Sequence, residues 1–89
     1  MPIKEDINLE EGLSGGLRKK LERYFASHKD GSVPPGLYDR IIKEIERVMF
    51  DVTLKHVDGN QSQASKILGI NRNTLRKKLL ELNVGDFGR

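Results

Sequence analysis

No cysteine occurs among the 89 residues. That absence removes a disulfide framework, a thiolate nucleophile and any cysteine-based zinc site. Apolar side chains are also scarce, at 36% of the chain. A chain of this length is one small domain, and it buries only about 60–65% of its unfolded surface. So thin a core predicts that a partner subunit completes some of the apolar surface. No apolar run approaches the roughly 20 residues needed to cross a bilayer. Met1 to Gly12 carries five charged residues and no apolar h-region. It is therefore not read as a secretory signal, and the protein is expected to be soluble and cytoplasmic.

Catalytic patterns are missing too. The two histidines, His28 and His56, stand at the ends of separate segments, and no carboxylate pattern joins them. Gly15-Gly16 is not a phosphate loop, because no strand precedes it and no Lys-Ser or Lys-Thr follows. No Ser/His/Asp constellation is apparent. The chain is read as not an enzyme, with no catalytic residue, no metal ligand and no cofactor.

The charge that is present is unevenly placed. Sixteen Lys and Arg against thirteen Asp and Glu leave a net charge of only +3. Residues 1–36 are neutral in sum, and residues 37–58 are slightly acidic. Residues 59–80 hold Lys66, Arg72, Arg76, Lys77 and Lys78 and no acid at all. One acid-free basic window beside a balanced remainder favours a polyanionic partner.

Periodicity gives helices only. Residues 1–12 show no apolar period and read as a flexible tail or linker remnant. Leu13, Leu17, Leu21, Tyr24, Phe25 and His28 form one helical stripe, starting at Leu13 or Leu17. Residues 29–36, with two prolines and two glycines, are a loop. From Leu37 to Val57, Tyr38, Ile41, Ile42, Ile45, Val48, Met49 and Val52 follow a second stripe, with Phe50 and Leu54 outside it. This apolar face is wider than one helical neighbour would cover. Asp58-Gly59 ends it, glycine suiting a left-handed position.

The next segment carries the functional signal. Asn60 is an N-cap with Gln63 three residues on, and Ala64, Ile67 and Leu68 are expected to face inward. Gly69-Ile70-Asn71 breaks this short helix. Asn71 caps another, Arg72 to Leu82, whose Leu75, Leu79 and Leu82 face inward, with Asn83 the stop. Two short helices across a three-residue turn headed by glycine form a helix-turn-helix pattern. Arg72 and Asn73 sit in the first turn, where a recognition helix meets base edges. Arg donates twice to guanine and Asn pairs with adenine. Asn60, Ser62, Thr74, Arg76 and Lys78 suit phosphate contacts. Tyr24, Phe25 and Tyr38 read as dimer core rather than base-stacking aromatics, which disfavours RNA as the partner, because single-strand readers display aromatics beside their basic residues.

The run from Gly59 through Asn71-Arg72-Asn73-Thr74-Leu75-Arg76-Lys77-Lys78 to Leu79 closely resembles the helix-turn-helix of the Fis family. The likeness extends over residues 17–84. Pro34-Pro35-Gly36-Leu37-Tyr38 and Asn71-Arg72-Asn73-Thr74 are most similar to the C-terminal DNA-binding domain of NtrC-type enhancer-binding response regulators of nitrogen regulation. The resemblance implies an all-α fold and an intertwined homodimer. Together with the pattern along the chain, it gives a helical dimerisation region (13–58) and a helix-turn-helix (59–84) between a tail (1–12), which shows no resemblance, and a frayed end (85–89). It implies base contacts from Asn71 and Arg72, with Lys77 also reaching the groove. It implies a dimer interface of Leu21, Tyr24, Phe25, Tyr38, Ile41, Ile42, Ile45, Val48, Met49 and Val52. The partners implied are a palindromic DNA operator or enhancer and, in a longer parent protein, an upstream AAA+ domain and sigma-54 polymerase. Two positions depart from the family: Gln63 stands where a basic residue is common, and outward-facing Leu80 where a polar one is usual. A free-standing, nucleoid-associated Fis-like protein that bends DNA with loose specificity is the competing expectation. A helical interaction module without DNA affinity is a third.

Overall fold

The computed structural model describes residues 9–84, with side chains from residue 12. The expected frayed end, 85–89, lies outside the described residues, as do residues 1–8 of the expected tail. Four α-helices are present among the described residues: α1 Gly15–Ala26, α2 Leu37–His56, α3 Gln61–Leu68 and α4 Arg72–Leu82. The described residues contain no strand. The chain divides after Pro35 into two compact units.

In the first unit, helical backbone begins earlier than the apolar stripe suggests. A π-helical segment, Leu9–Ser14, leads into α1, and Ser14 is itself helical at φ −63°. Leu9, Glu10 and Glu11 are good helix formers, a backbone preference that an apolar period does not register. No residue of α1 is buried. At its end, Ser27 Oγ and His28 Nδ1 both donate to the Tyr24 carbonyl, at 2.8 and 2.9 Å. His28 therefore closes the helix end, since a carbonyl oxygen can only accept. In the loop beyond, Ser32 N donates to Asp30 Oδ1 at 3.1 Å. Hydrogen bonds from Ser32 hold the Asp30 carboxyl below the usual aspartate range.

The second unit packs α2, α3 and α4 around Phe50, Leu54, Ala64, Leu75, Leu79, Leu82 and Val84, with Val57, Leu68 and Ile70 against them. Two inward assignments change. Phe50 and Leu54, outside the main stripe of α2 in sequence, are its buried residues. Ile67, expected inward, is 58% exposed, and Ser65 takes the inner place beside Ala64. At 100° per residue Ala64, Leu68 and Ser65 span one arc of α3, and Ile67 falls outside it. Ser65 satisfies its hydroxyl by donating to Ser62 O at 2.8 Å, so a polar group is tolerated there.

The stripe on α2 that is more prominent in sequence points elsewhere. Tyr38, Ile42, Val48, Met49 and Val52 are exposed, and Ile41 and Ile45 half-buried. On α1, Phe25 is exposed and Leu21 and Tyr24 are half-buried. On α2 the exposed stripe and the Phe50–Leu54 face lie roughly 140° apart around the helix. The wide apolar face of α2 is thus two faces.

Left-handed residues end the helices of this unit: Asp58 and Gly59 after α2, Gly69 after α3, Asn83 after α4. Asp58, Gly69 and Asn83 each let the next N–H reach five residues back, as Gly59 N to Leu54 O, Ile70 N to Ser65 O and Val84 N to Leu79 O. A Cβ at Gly69 would meet nothing within 4 Å, so its requirement is the φ of +73° alone. Gly69→Ala is expected to lower stability by about 1–2 kcal/mol through backbone strain. Denaturant unfolding measures it, and an unchanged midpoint would refute the requirement.

Candidate nucleic-acid interface

Local chemistry sets the turn between α3 and α4. Asn60 Oδ1 accepts from Gln63 N at 3.1 Å and starts α3. Fully buried Ala64 leaves room for α4 to cross closely. Gly69 reverses the chain, and half-buried Ile70 fills the space beneath the turn. Asn71 Oδ1 then accepts from Asn73 N at 2.7 Å and starts α4.

This start leaves α4 with two unlike sides. Leu75, Leu79 and Leu82 are buried. Arg72, Asn73, Thr74, Arg76 and Lys77 are exposed. Arg72, Asn73, Arg76 and Lys77 share an arc of about 140° at the helical period. Among the described residues no ion pair engages Arg72, Arg76 or Lys77. Their charge is available to an outside anion. Leu80 lies on the same outward side, 59% exposed.

The other expected contact residues are placed less uniformly. Asn60, Ser62 and Gln63 are exposed around the start of α3. Asn60 and Asn71 each commit the side-chain oxygen to a cap, so their NH2 groups remain as outward donors. Lys78 turns the other way. Its Nζ lies 3.0 Å from Glu46 Oε2 on α2, roughly opposite the middle of the polar face. Arg47 of α2 donates from Nε to Leu82 O at 3.4 Å and pairs with Glu44 at 2.8 Å. The sequence reading missed Glu46 and Arg47 as partners of α4. No local spacing links residues so far apart along the chain.

Among the described residues no helix is long and apolar enough to cross a membrane, and no group of three or more His, Asp or Glu is placed to hold a metal ion.

Residues 41–82, which cover most of α2 and all of α3 and α4, match the family described as bacterial regulatory protein, Fis family. The DNA-binding transcriptional regulator NtrC of Azospirillum brasilense is 49% identical over 83 residues, which are 93% of this chain and 17% of that protein. This chain thus spans about a sixth of the length of that relative. The DNA-binding protein Fis of Glaesserella parasuis is 43% identical over 75% of this chain and 68% of its own length. A putative Fis-like DNA-binding protein of Neisseria meningitidis is 42% identical over 78% of this chain and 86% of its own length. The shared segment in each relative is long enough to hold the whole three-helix unit, and the chain belongs to the Fis family of bacterial regulatory proteins.

Proposed function

We propose that this chain binds double-stranded DNA sequence-specifically as a homodimer, as the DNA-binding domain of an NtrC-type transcription regulator. The observation that carries the reading is the exposed, unpaired Arg72, Arg76 and Lys77 on one side of α4, opposite its buried leucines. In this reading the start of α4 enters the major groove. Arg72 donates to guanine, Asn73 pairs with adenine, Asn71 offers its NH2 group, and Lys77 reaches the groove. Asn60, Ser62, Thr74 and Arg76 hold phosphates on either side. The exposed α2 stripe and the uncovered stripe of α1 support a second copy as their cover. Two reading heads on a two-fold axis call for a palindromic site, with half-sites about one helical turn or a multiple apart.

The 49% identity to the Azospirillum regulator favours the NtrC branch. In a parent protein of that kind the upstream region would supply an AAA+ domain that works with sigma-54 polymerase in nitrogen regulation. Its place would be cytoplasmic, on the nucleoid. The competing reading is a free-standing Fis-like nucleoid protein. It is favoured by the similarity to the Fis and Fis-like DNA-binding proteins of Glaesserella and Neisseria.

Selection from a pool of random duplexes separates the two readings. A sharp palindromic consensus is expected, whereas enrichment of A·T tracts alone would favour the nucleoid protein. Absence of any salt-dependent duplex binding would overturn both. Sedimentation tests the dimer, and a folded monomer near 10.1 kDa would refute it.

A further inference from the structure

Three ion pairs are local: Asp39–Lys43, Glu44–Arg47 and Asp51–Lys55 each join neighbours on one turn of α2. A further pair joins two helices, Glu46 of α2 to Lys78 of α4. It is also the most sheltered, with Glu46 20% and Lys78 37% exposed, so solvent screens it less than the others. Leucines of both helices and Phe50 lie in the shared core, and Arg47 of α2 also reaches the Leu82 carbonyl at the end of α4. The apolar contacts decide which side of α4 is buried, but being non-directional they fix its roll less finely than a directional contact does. A charge-assisted contact at a fixed point on α4 adds a directional restraint on the roll, midway along the helix where the Arg47 bond at its end does not act. Lys78 lies one turn beyond Thr74 and beside the buried leucines, while the reading side chains project the opposite way.

We propose that Glu46 is a positioning residue for sequence discrimination. Its ion pair with Lys78 fixes the roll of α4 on α2, so that Arg72 and Asn73 meet base edges in register. The same pair directs the Lys78 charge to α2 rather than to a phosphate. The proposal rests on the DNA-binding reading above. It also revises the role of Lys78, which by residue type and position reads as a phosphate contact.

The sign of the effect separates positioning from simple electrostatics. Removing an acid beside a DNA-facing helix should tighten binding to any duplex alike if charge alone matters. Positioning predicts a loss of discrimination instead. The test uses the full 89-residue chain, the tightest duplex from a random pool, and an unselected duplex of equal length. In Glu46→Gln the ratio of selected to unselected affinity should fall about tenfold, the scale of one misplaced bidentate base contact. Affinity for the unselected duplex should hold or rise. The charge-swapped pair Glu46→Lys with Lys78→Glu should restore most of the ratio.

Lys78→Gln decides the matter whatever the folding of Glu46→Gln. It should lose discrimination with an unchanged salt slope. A slope reduced by about one per subunit would mean a phosphate contact and would overturn the proposal. An unchanged ratio in Glu46→Gln with helicity intact, or no recovery in the swapped pair, would overturn it as well. If the parent chain discriminates and the variants discriminate equally, only the positioning role fails. If the parent binds no duplex, the DNA-binding reading itself fails.

Discussion

Replacing Arg72 by alanine is expected to erase most of the discrimination between a selected and an unselected duplex while leaving fold and subunit association intact. Arg72 is exposed in the first turn of α4, and no ion pair among the described residues depends on it. A cation at a helix N-terminus opposes the macrodipole, so its loss should not weaken the helix. A bidentate contact to guanine discriminates by about 1–3 kcal/mol, and a dimer carries two such heads. Competition binding against both duplexes measures the ratio, and far-UV circular dichroism the fold. Because the contact is to a base, the salt slope should stay nearly constant. An Arg72→Ala variant that keeps the parent ratio would remove the base-reading role.

The second large effect is on stability. Leu54→Ala should destabilise the three-helix unit by about 2–5 kcal/mol. Leu54 has no exposed surface and sits where α2 meets the helix-turn-helix. A core in a unit as small as the one that begins at Gly36 supplies only about 3–5 kcal/mol in all. The variant should therefore be largely unfolded at 25 °C without a partner chain or DNA to stabilise it. Denaturant unfolding followed by circular dichroism reads this directly. A midpoint equal to that of the parent would show that α2 does not anchor the unit.

Much of this fold is legible along the chain because its boundaries are made by neighbouring residues. Asn60 and Asn71 cap the helices that they precede, and each bond spans only three or two residues. Gly69 and Asn83 end the helices they follow through their own backbone preference. The period of Leu75, Leu79 and Leu82 places Arg72, Asn73, Arg76 and Lys77 on the outer side, where they are exposed. The candidate reading surface follows from these local facts.

What was not legible depends on which face meets which neighbour. Period alone shows α2 as apolar over a wide arc. It does not tell the Phe50–Leu54 face, which packs on α3 and α4, from the Tyr38–Val52 stripe, which remains open. It gives hydrophobic Ile67 to the core over Ser65, whereas the packing of α3 admits only the arc that runs from Ala64 through Leu68 to Ser65. It counts Lys78 among five like charges, because the Glu46 that pairs with it is remote in sequence.

The basic, acid-free window, the caps and the turn were determined by the sequence itself, since charge and short-range hydrogen bonding act between residues close along the chain. Tertiary structure alone decided which of those charges face outward and which is drawn back to α2. A helical period fixes directions around one axis, and only packing against a second axis assigns those directions to protein or to solvent.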